Sequence, residues 1–300
     1  MQKLLELLKR GCCIFIGAGI PRLIGFPTWE EMVREMLNYT WKMKEAFIIK
    51  PFTISEKKEL EDMMKQEKFI HVLTFCKDTF KKNRKIDDYY KKLKDMFYDQ
   101  SKYTNINNEG YAELLKLGKL GEKSFFVQTN VDLSLESYIK QFNKSSIFAN
   151  ISLPHVNNIP SLSLIYLHGI ITNKNSLILT IDEYNTFYQR NNVFINFLNG
   201  LFNYYDVFFL GYGLGDKEIL DTIARTNSQK LRILALGESE RDKTRNKMFA
   251  EYLNNHYGIE VIEYDIEFGY ERIIDFFKDL NVKLMKPPQV SAPFDNGSRL

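Results

Sequence analysis

The residue in this sequence best suited to proton transfer is His168, which follows a short apolar run and precedes Gly169. An imidazole changes its charge near neutral pH, so a histidine at the end of a strand can act there as a general base or acid. The other histidines have simpler explanations: packing for His71, which lies in an apolar run, and solvent exposure for His155 and His256. We therefore take His168 as the candidate catalytic histidine.

A second polar motif, Gln-Thr-Asn-Val-Asp at 128–132, follows another apolar run. Polar side chains at the carboxyl ends of parallel strands lie where ligands bind in open sheets. The Asn130 amide can donate to and accept from a ribose or a carboxamide, and Asp132 can orient it. The same motif fits an Asx-turn in which Asp132 only caps a helix over 133–140. The sequence leaves both interpretations open.

Two glycine-rich turns follow further apolar runs. They are Gly-Ala-Gly at 17–19 and Gly-Tyr-Gly-Leu-Gly-Asp at 211–216. Glycines directly after a strand let backbone N–H groups approach a pyrophosphate without a Cβ in the way. Such a turn is compatible with dinucleotide binding, but it is a weak signal alone, because glycine after a strand often forms only a tight turn. Asp216 fits either a ligand contact or the N-cap of the next helix.

Short β-rich apolar runs alternate with helical stretches and position all of these motifs. Runs that are apolar on both faces, joined by helices, indicate a parallel sheet covered on both sides. The predicted fold class is α/β, a doubly wound Rossmann-like sheet with helices on both faces. The predicted strands are 12–16, 124–127, 164–167, 207–210, 232–236 and 259–262.

Residues 41–120 interrupt this alternation and are rich in Lys, Glu, Asp and Met. Helical spacing over 56–66 and 87–98 predicts a helical insertion within one catalytic domain that spans 1–285. The segment 286–300 has adjacent prolines and no periodicity, so we expect it to be a tail or linker.

The composition is that of a globular protein, with 300 residues of which 44% are hydrophobic and 26% charged. No apolar run reaches about 18 residues, so no membrane-spanning helix is predicted. The 41 basic and 38 acidic residues give a net charge of +3, too close to balance to indicate nucleic-acid binding. A lysine-rich stretch at 81–94 can contact phosphates, but its interleaved acids favour a solvated helix face.

The three cysteines, at positions 12, 13 and 76, argue against a disulfide framework and fit a reducing cytoplasm. The N-terminus carries acid among its apolar residues, unlike a signal peptide, so we expect a cytoplasmic location. Three cysteines cannot supply a four-cysteine zinc site, and no metal is predicted.

Taken in order, these motifs resemble the sirtuin superfamily, and in particular the bacterial sirtuin-like NADase domains of antiphage defence. The resemblance covers roughly residues 8–280. The segments that carry it are 17–20, 25–27, 128–132, 168–169, 176–184 and 211–216. There are two departures. Pro21 stands where the family usually has serine, and no cysteine follows Cys76, so the zinc ribbon of deacylating sirtuins is missing.

The resemblance implies an NAD+ hydrolase that cleaves the nicotinamide–ribose bond and depletes NAD+ in abortive infection. It implies His168 as general base, and Asn130 as the residue that binds the ribose or positions water. In the first glycine turn the backbone N–H groups are expected to bind the phosphates. The implied NAD+-binding residues are Gly17, Ala18, Gly19, Pro27, Thr129, Asp132, Gly211, Tyr212, Gly213 and Asp216.

Three alternatives remain open: an NAD-dependent protein deacylase or ADP-ribosyltransferase, a non-catalytic subunit that senses NAD or ADP-ribose, and a structural subunit of a nucleic-acid effector. The resemblance also implies gating by homo-oligomerisation or by a defence partner such as a HerA-type ATPase, an Argonaute-like protein or a sensor. The chain has no Walker-type motif, so an ATPase would be a separate protein. An aromatic-rich helix expected at 186–205 fits core packing better than an assembly face.

Overall fold

The architecture is a single parallel sheet covered by helices. The structure, a computed structural model, describes residues 1–46, 48–49, 53–98, 109–121, 123–142 and 146–285, and the expected tail at 286–300 lies outside them. The strands of the described residues are β1 (Cys13–Ile16), β2 (Phe125–Gln128), β3 (Ile147–Ala149), β4 (Leu164–Tyr166), β5 (Val207–Leu210), β6 (Arg232–Glu238) and β7 (Ile259–Asp265). They pair in parallel in the order β3-β4-β2-β1-β5-β6-β7. This confirms the predicted doubly wound α/β fold.

The strand order reverses direction between β1 and β5. After β1 the chain forms β2 beside it, then the edge strand β3, then β4 between β3 and β2, and it returns to place β5 on the other side of β1. Cys13 pairs in register with Phe125 on one side and Val207 on the other. In open parallel sheets, ligands bind beyond the carboxyl ends of the strands at such a switch point.

All six predicted strands are present, and the structure has a seventh that was not predicted. The missed strand is β3, which has only three residues and lies at the edge of the sheet beside β4. A run this short, flanked by Ser146 and Asn150, shows no periodicity that separates a strand from a loop.

Helices cover both faces of the sheet, and several of them belong to the connection between β1 and β2. They are α1 (Gln2–Arg10), α2 (Gly19–Arg22), α3 (Trp29–Glu45), α4 (Ile54–Lys65), α5 (Phe69–Lys82), α6 (Ile86–Phe97), α7 (Glu109–Leu120), α8 (Ser134–Phe142), α9 (Ile181–Tyr184), α10 (Asn192–Tyr204), α11 (Lys217–Arg225), α12 (Lys243–Tyr257) and α13 (Arg272–Met285). Short 3₁₀ turns lie at Val156–Asn158 and Lys174–Ser176. Within the described ranges, no helix is both long and apolar enough to cross a bilayer.

Alternating residues of the strands point into two separate cores, as the pleat of a sheet requires. Ile14 and Phe126 pack in the core under α1, α7, α8 and α13, whereas Phe15 and Phe209 pack in the core under α10, α11 and α12. Burial on both faces explains why the strands read as continuous apolar runs.

The segment between β1 and β2 has a third core of its own. Helices α3 to α6 pack around buried residues that include Met36, Leu73, Phe80 and Leu93. The interpretation of His71 as a packing residue was wrong, because the helical period of α5 turns Val72, Leu73, Cys76 and Phe80 inward and leaves His71 exposed.

The lysine-rich stretch at 81–94 covers the end of α5 and most of α6. Lys92 forms an ion pair with Glu35, and Lys85 lies 4.0 Å from Asp88. These contacts with interleaved acids support the solvated-face interpretation over a phosphate-binding surface.

The aromatic-rich segment at 186–205 is not one continuous helix. A π-helix, Asn185–Arg190, precedes α10, and the Asn191 side chain caps α10 by accepting from the Phe194 N–H at 3.1 Å. Most of its aromatic side chains are buried against the sheet, which supports core packing, although Tyr204 is 56% exposed.

Candidate functional site

A cavity of about 340 Å³ opens at the carboxyl ends of β1, β2 and β5, beside the switch point. Its volume lies at the lower end of the range for small-molecule sites. All of the predicted site residues except Gly17 and Gly19 line it. These lining residues are Ala18, Pro27, Thr129, Asn130, Asp132, His168, Gly211, Tyr212, Gly213 and Asp216.

The glycines of the first turn have a different role from the expected one. The Gly17 N–H donates to the Leu210 carbonyl and the Gly19 N–H donates to the Gly211 carbonyl, both at 2.9 Å. A Cβ on Gly17 would lie 2.5 Å from the Gly211 oxygen. The expectation that these two amides bind phosphates is therefore wrong for this structure, because both already hold the β1 turn against the β5 turn. Ala18 is the member of this turn that faces the cavity.

Asn130 ties the end of β2 to the end of β1. Its side-chain Nδ2 donates to the Gly17 carbonyl at 3.0 Å and lies 3.4 Å from Gln128 Oε1. The Asn130 oxygen accepts no hydrogen bond within the described residues. The amide is therefore fixed through its nitrogen, and its oxygen is left for a ligand in the cavity.

Asp132 combines the two roles that the sequence left open. Its Oδ1 accepts from the Ser134 N–H at 2.9 Å and from the Ser134 hydroxyl, which is an Asx-turn at the start of α8. Its Oδ2 is buried without a hydrogen-bond partner in the described part of the chain. The side chain is 1% exposed, and this burial raises the pKa of Asp132. One oxygen thus caps a helix while the other remains an unpaired acceptor.

We expect the substitution Asp132→Asn to raise the free energy of unfolding at pH 7 by about 1 kcal/mol, because it removes a buried charge and keeps the oxygen that Ser134 contacts. A carboxyl whose pKa is raised by folding destabilises the fold progressively as the pH rises from its ordinary pKa of about 3.9 through the raised value. The gain should therefore disappear at acidic pH. Urea unfolding at several pH values measures it, with exposed Asp182→Asn as the control; a loss of stability at pH 7 would contradict it.

His168 is buried at the rim of the same cavity, just beyond β4. Its side chain is 4% exposed, and its Nε2 lies 2.8 Å from the Tyr188 hydroxyl. Burial lowers the pKa of His168, and the nearby Asp216 carboxylate partly opposes this shift. A lowered pKa keeps the imidazole neutral at pH 7, which is the form that accepts a proton.

The backbone beyond His168 is held in one conformation by Gly169 and Asn150. Gly169 has φ +85° and packs so closely on Ser176 that an added Cβ would overlap the Ser176 carbonyl. Asn150, directly after β3, donates through Nδ2 to the carbonyls of Leu167 and Ser176 at 2.9 and 2.6 Å. The missed strand β3 therefore positions the catalytic candidate.

Asp216 stands at the start of α11, but its side chain does not cap that helix. Its carboxylate accepts from the Tyr184 hydroxyl at 2.7 Å and from the Tyr212 hydroxyl at 2.5 Å. Burial, and then the Asp216 charge, raise the pKa values of both tyrosines well above the ordinary one. Both phenols are therefore neutral donors. Asp216 is the N-cap residue of α11 by position, as one of the two interpretations predicted, but its carboxylate contacts the tyrosines and does not cap the helix.

Comparison with known families agrees with this geometry. Residues 124–262, a little under half of the chain, match the family model of the SIR2-like domain. This match supports an assignment to the sirtuin-like superfamily. A search of curated proteins found no match. The matched segment runs from β2 into β7 and contains Asn130, His168 and Asp216. SIR2-like domains bind NAD+, so the assignment supports an NAD-related function for the cavity.

Outside the matched SIR2-like segment, the helices before β2 supply an apolar wall that the sequence analysis missed. Aromatic side chains of α3, α5 and α6 line the cavity, namely Trp29, Phe69 and Phe97. The start of α3 is predictable from the sequence, because Thr28 and Glu31 have the spacing of a capping box, and the structure confirms it. Thr28 accepts from the Glu31 N–H at 3.3 Å, and Glu31 accepts from the Thr28 N–H at 2.7 Å.

The SIR2-like segment and the preceding helices are joined beside the cavity. Lys77 of α5 forms an ion pair with Glu183 of α9, and the Ile181 N–H donates to the Thr74 hydroxyl at 3.0 Å. Burial alone would lower the pKa of Lys77, but the bond to Glu183 raises it. This pair fixes α9, which carries Tyr184, against the insertion.

The described lining of the cavity is acidic. It contains the carboxyl groups of Asp132, Asp216 and Glu67 and no lysine or arginine. Cys12, Cys13 and Cys76 are buried elsewhere, and burial raises the pKa of the Cys76 thiol to about 12, so these thiols are poor nucleophiles. Within the described residues, no cluster of His, Cys, Asp and Glu has the size of a metal site.

Proposed function

We propose that this protein hydrolyses NAD+ at the nicotinamide–ribose bond, giving nicotinamide and ADP-ribose. The observation that carries the proposal is the convergence of Asn130, Asp132 and His168 on one cavity at the switch point of a sheet whose family binds NAD+. Each of the three offers the cavity a different group: an amide oxygen, an unpaired carboxylate oxygen and a neutral imidazole.

The charge of the lining suits the chemistry of this bond. The pyridinium ring of NAD+ is cationic, and glycosidic cleavage passes through an oxocarbenium-like state, so positive charge is present on the ribose at the transition state. The carboxylates of Asp132, Asp216 and Glu67 line the cavity, and negative charge placed there favours positive charge on the ribose.

The side chains divide the remaining work. The Asn130 oxygen accepts from a ribose hydroxyl or from the attacking water. His168, neutral because its pKa is lowered, accepts a proton from the same hydroxyl or from water. Asp132 supports the site by accepting a ligand N–H or O–H at its unpaired oxygen and does not itself react.

The absence of cysteines after Cys76 favours hydrolysis over transfer to a protein, because the zinc ribbon that helps to shape the acyl-lysine cleft of deacylating sirtuins needs paired cysteines there. In its place, the apolar side chains of Trp29, Phe69 and Phe97 line the cavity. A deacylase or ADP-ribosyltransferase would use the same NAD+ site. If adding an acylated or acceptor peptide is required for NAD+ consumption, the transfer reaction replaces hydrolysis as the assignment.

The substitution Asn130→Ala tests the proposal at the ribose. It removes one hydrogen bond to the reacting sugar or water, so nicotinamide release should fall by about 10- to 100-fold. Thermal unfolding shows whether the lost bond to the Gly17 carbonyl also destabilises the fold, and exposed Asn255→Ala is the control. Unchanged release from Asn130→Ala would remove this residue from the mechanism.

We further propose that the reaction depletes NAD+ in antiphage defence and that oligomerisation or a partner gates it in the cytoplasm. Unregulated hydrolysis of NAD+ would be toxic to the cell that makes the enzyme. Co-expression with neighbouring genes, with native mass and NAD+ concentration followed together, tests this. Full NAD+ turnover by a monomer in uninfected cells, without toxicity, would refute the gating.

A further inference from the structure

The imidazole of His168 has one partner that fixes its orientation. Nε2 lies 2.8 Å from the Tyr188 hydroxyl, and Nδ1 makes no hydrogen bond within the described residues. The partner of one ring nitrogen sets the tautomer of a histidine and so decides whether the other nitrogen can accept a proton. Tyr188 holds that position next to His168.

Tyr188 is itself held by aromatic contacts. Its ring stacks on Tyr184 with centroids 5.4 Å apart and planes 12° from parallel, and it meets the Phe194 ring edge-on at 4.9 Å. Tyr184 is in turn anchored by its hydroxyl, which donates to Asp216 at 2.7 Å. The imidazole of His168 also packs edge-on against Tyr184 at 5.4 Å.

The backbone that carries Tyr188 is unusual. Tyr188 lies in the π-helix Asn185–Arg190, a rare conformation that occurs mostly as single turns and frequently at functional sites. The turn before it is fixed by Glu183, which accepts from the N–H groups of Leu179 and Thr180 at 2.7 and 2.8 Å. Because these hydrogen bonds fix the residues before the π-helix, the position of Tyr188 within it is also defined.

We propose that Tyr188 is a positioning residue for His168, held in place by its stack on Tyr184 and, through Tyr184, by Asp216. This inference rests on the proposed hydrolysis of NAD+. Tyr188 orients the imidazole so that the second nitrogen meets the substrate, and its hydroxyl does not contact the substrate. The opposite role, a hydroxyl that blocks His168 until the enzyme is activated, predicts a rise in activity when the hydroxyl is removed.

The test compares Tyr188→Phe with wild type in steady-state NAD+ hydrolysis by the full chain. We expect kcat to fall by about 10-fold or more, a share of the roughly 10²–10⁴-fold that general-base assistance supplies, with KM for NAD+ unchanged within about 2-fold. Tyr205→Phe is the matched control, because it removes a hydroxyl that donates to the Val156 carbonyl at 2.7 Å, away from the cavity. An unchanged or higher kcat in Tyr188→Phe overturns the proposal.

A second readout does not depend on catalysis. The chain has four histidines, and the other three are exposed, so the ¹⁵N imidazole signals of buried His168 are separable by NMR. The tautomer signals of His168 should change in Tyr188→Phe and stay unchanged in Tyr205→Phe; unchanged signals in both overturn the proposal. If wild type does not cleave NAD+, the proposed function fails while this readout still decides the role of Tyr188. If Tyr188→Phe does not fold, the second variant is Tyr184→Phe, which removes the hydroxyl that anchors Tyr184 to Asp216. The kcat and the His168 signals are then measured in that variant, because Tyr188 stacks on Tyr184.

Discussion

Replacing His168 with alanine is expected to lower the kcat of NAD+ hydrolysis by about 10²–10⁴-fold, the usual contribution of a positioned general base. The imidazole is buried beside the cavity and neutral at pH 7, and the cavity lining contains no second histidine among the described residues. Nicotinamide release measured at saturating NAD+ gives the ratio of kcat values directly.

The control for this substitution is His256→Ala, which removes an exposed imidazole on α12 and should leave the rate unchanged. Binding of NAD+ to His168→Ala should persist, since the residue acts in the reaction more than in affinity. A rate for His168→Ala within a few-fold of wild type would show that another group accepts the proton.

The substitution Gly169→Ala is expected to lower the free energy of unfolding by about 2–5 kcal/mol. The left-handed backbone at φ +85° costs a residue with a Cβ roughly 1–2 kcal/mol, and the overlap with the Ser176 carbonyl adds an overpacking cost of about 1–3 kcal/mol. Urea-induced unfolding measures the change. Activity should fall as well, because the strand exit that carries His168 must shift.

Gly215→Ala is the matched control for the loss of stability expected from Gly169→Ala. An added Cβ there meets no heavy atom within 4 Å, so the free energy of unfolding should change by no more than about 1 kcal/mol. Equal stability of the two alanine variants would mean that the tight contact between Gly169 and Ser176 does not exist in solution.

Much of the fold could be predicted because burial on both faces leaves a local signal. Six of the strands appear as continuous apolar runs, and the turns that follow them carry Asn130, Asp132 and His168. The carboxyl ends of parallel strands share one edge of a sheet, so local motifs were enough to predict that these side chains come together.

Other features of the site depend on partners far away in the sequence. The amides of Gly17 and Gly19 are occupied by carbonyls of the β5 turn, nearly two hundred residues later, and no local pattern reveals this. Asp216 similarly has the position of a helix cap but takes hydroxyl donors from Tyr184 and Tyr212.

The tyrosines around His168 were missed for a different reason. The apolar spacing at 186–205 predicts a regular helix, whereas the structure has a π-helix that turns Tyr188 toward His168. A π-helix has no characteristic residue pattern, so a periodicity argument assigns these side chains to the wrong faces. The acidic lining is equally non-local, since Glu67 reaches the cavity from the connection before α5.

The most direct test of the central claim is the yield of nicotinamide and ADP-ribose from NAD+, quantified together for wild type and for the double variant Asn130→Ala/His168→Ala. We expect equal molar amounts of both products from wild type, without any acceptor, and loss of both in the double variant. Residues that act as one unit give non-additive effects on kcat. The kcat of the double variant should therefore be only slightly below that of the less active single variant. Equal product formation by wild type and the double variant, or tight binding of NAD+ without turnover even in the assembled oligomer or complex, would contradict the assignment of this cavity as a hydrolase site.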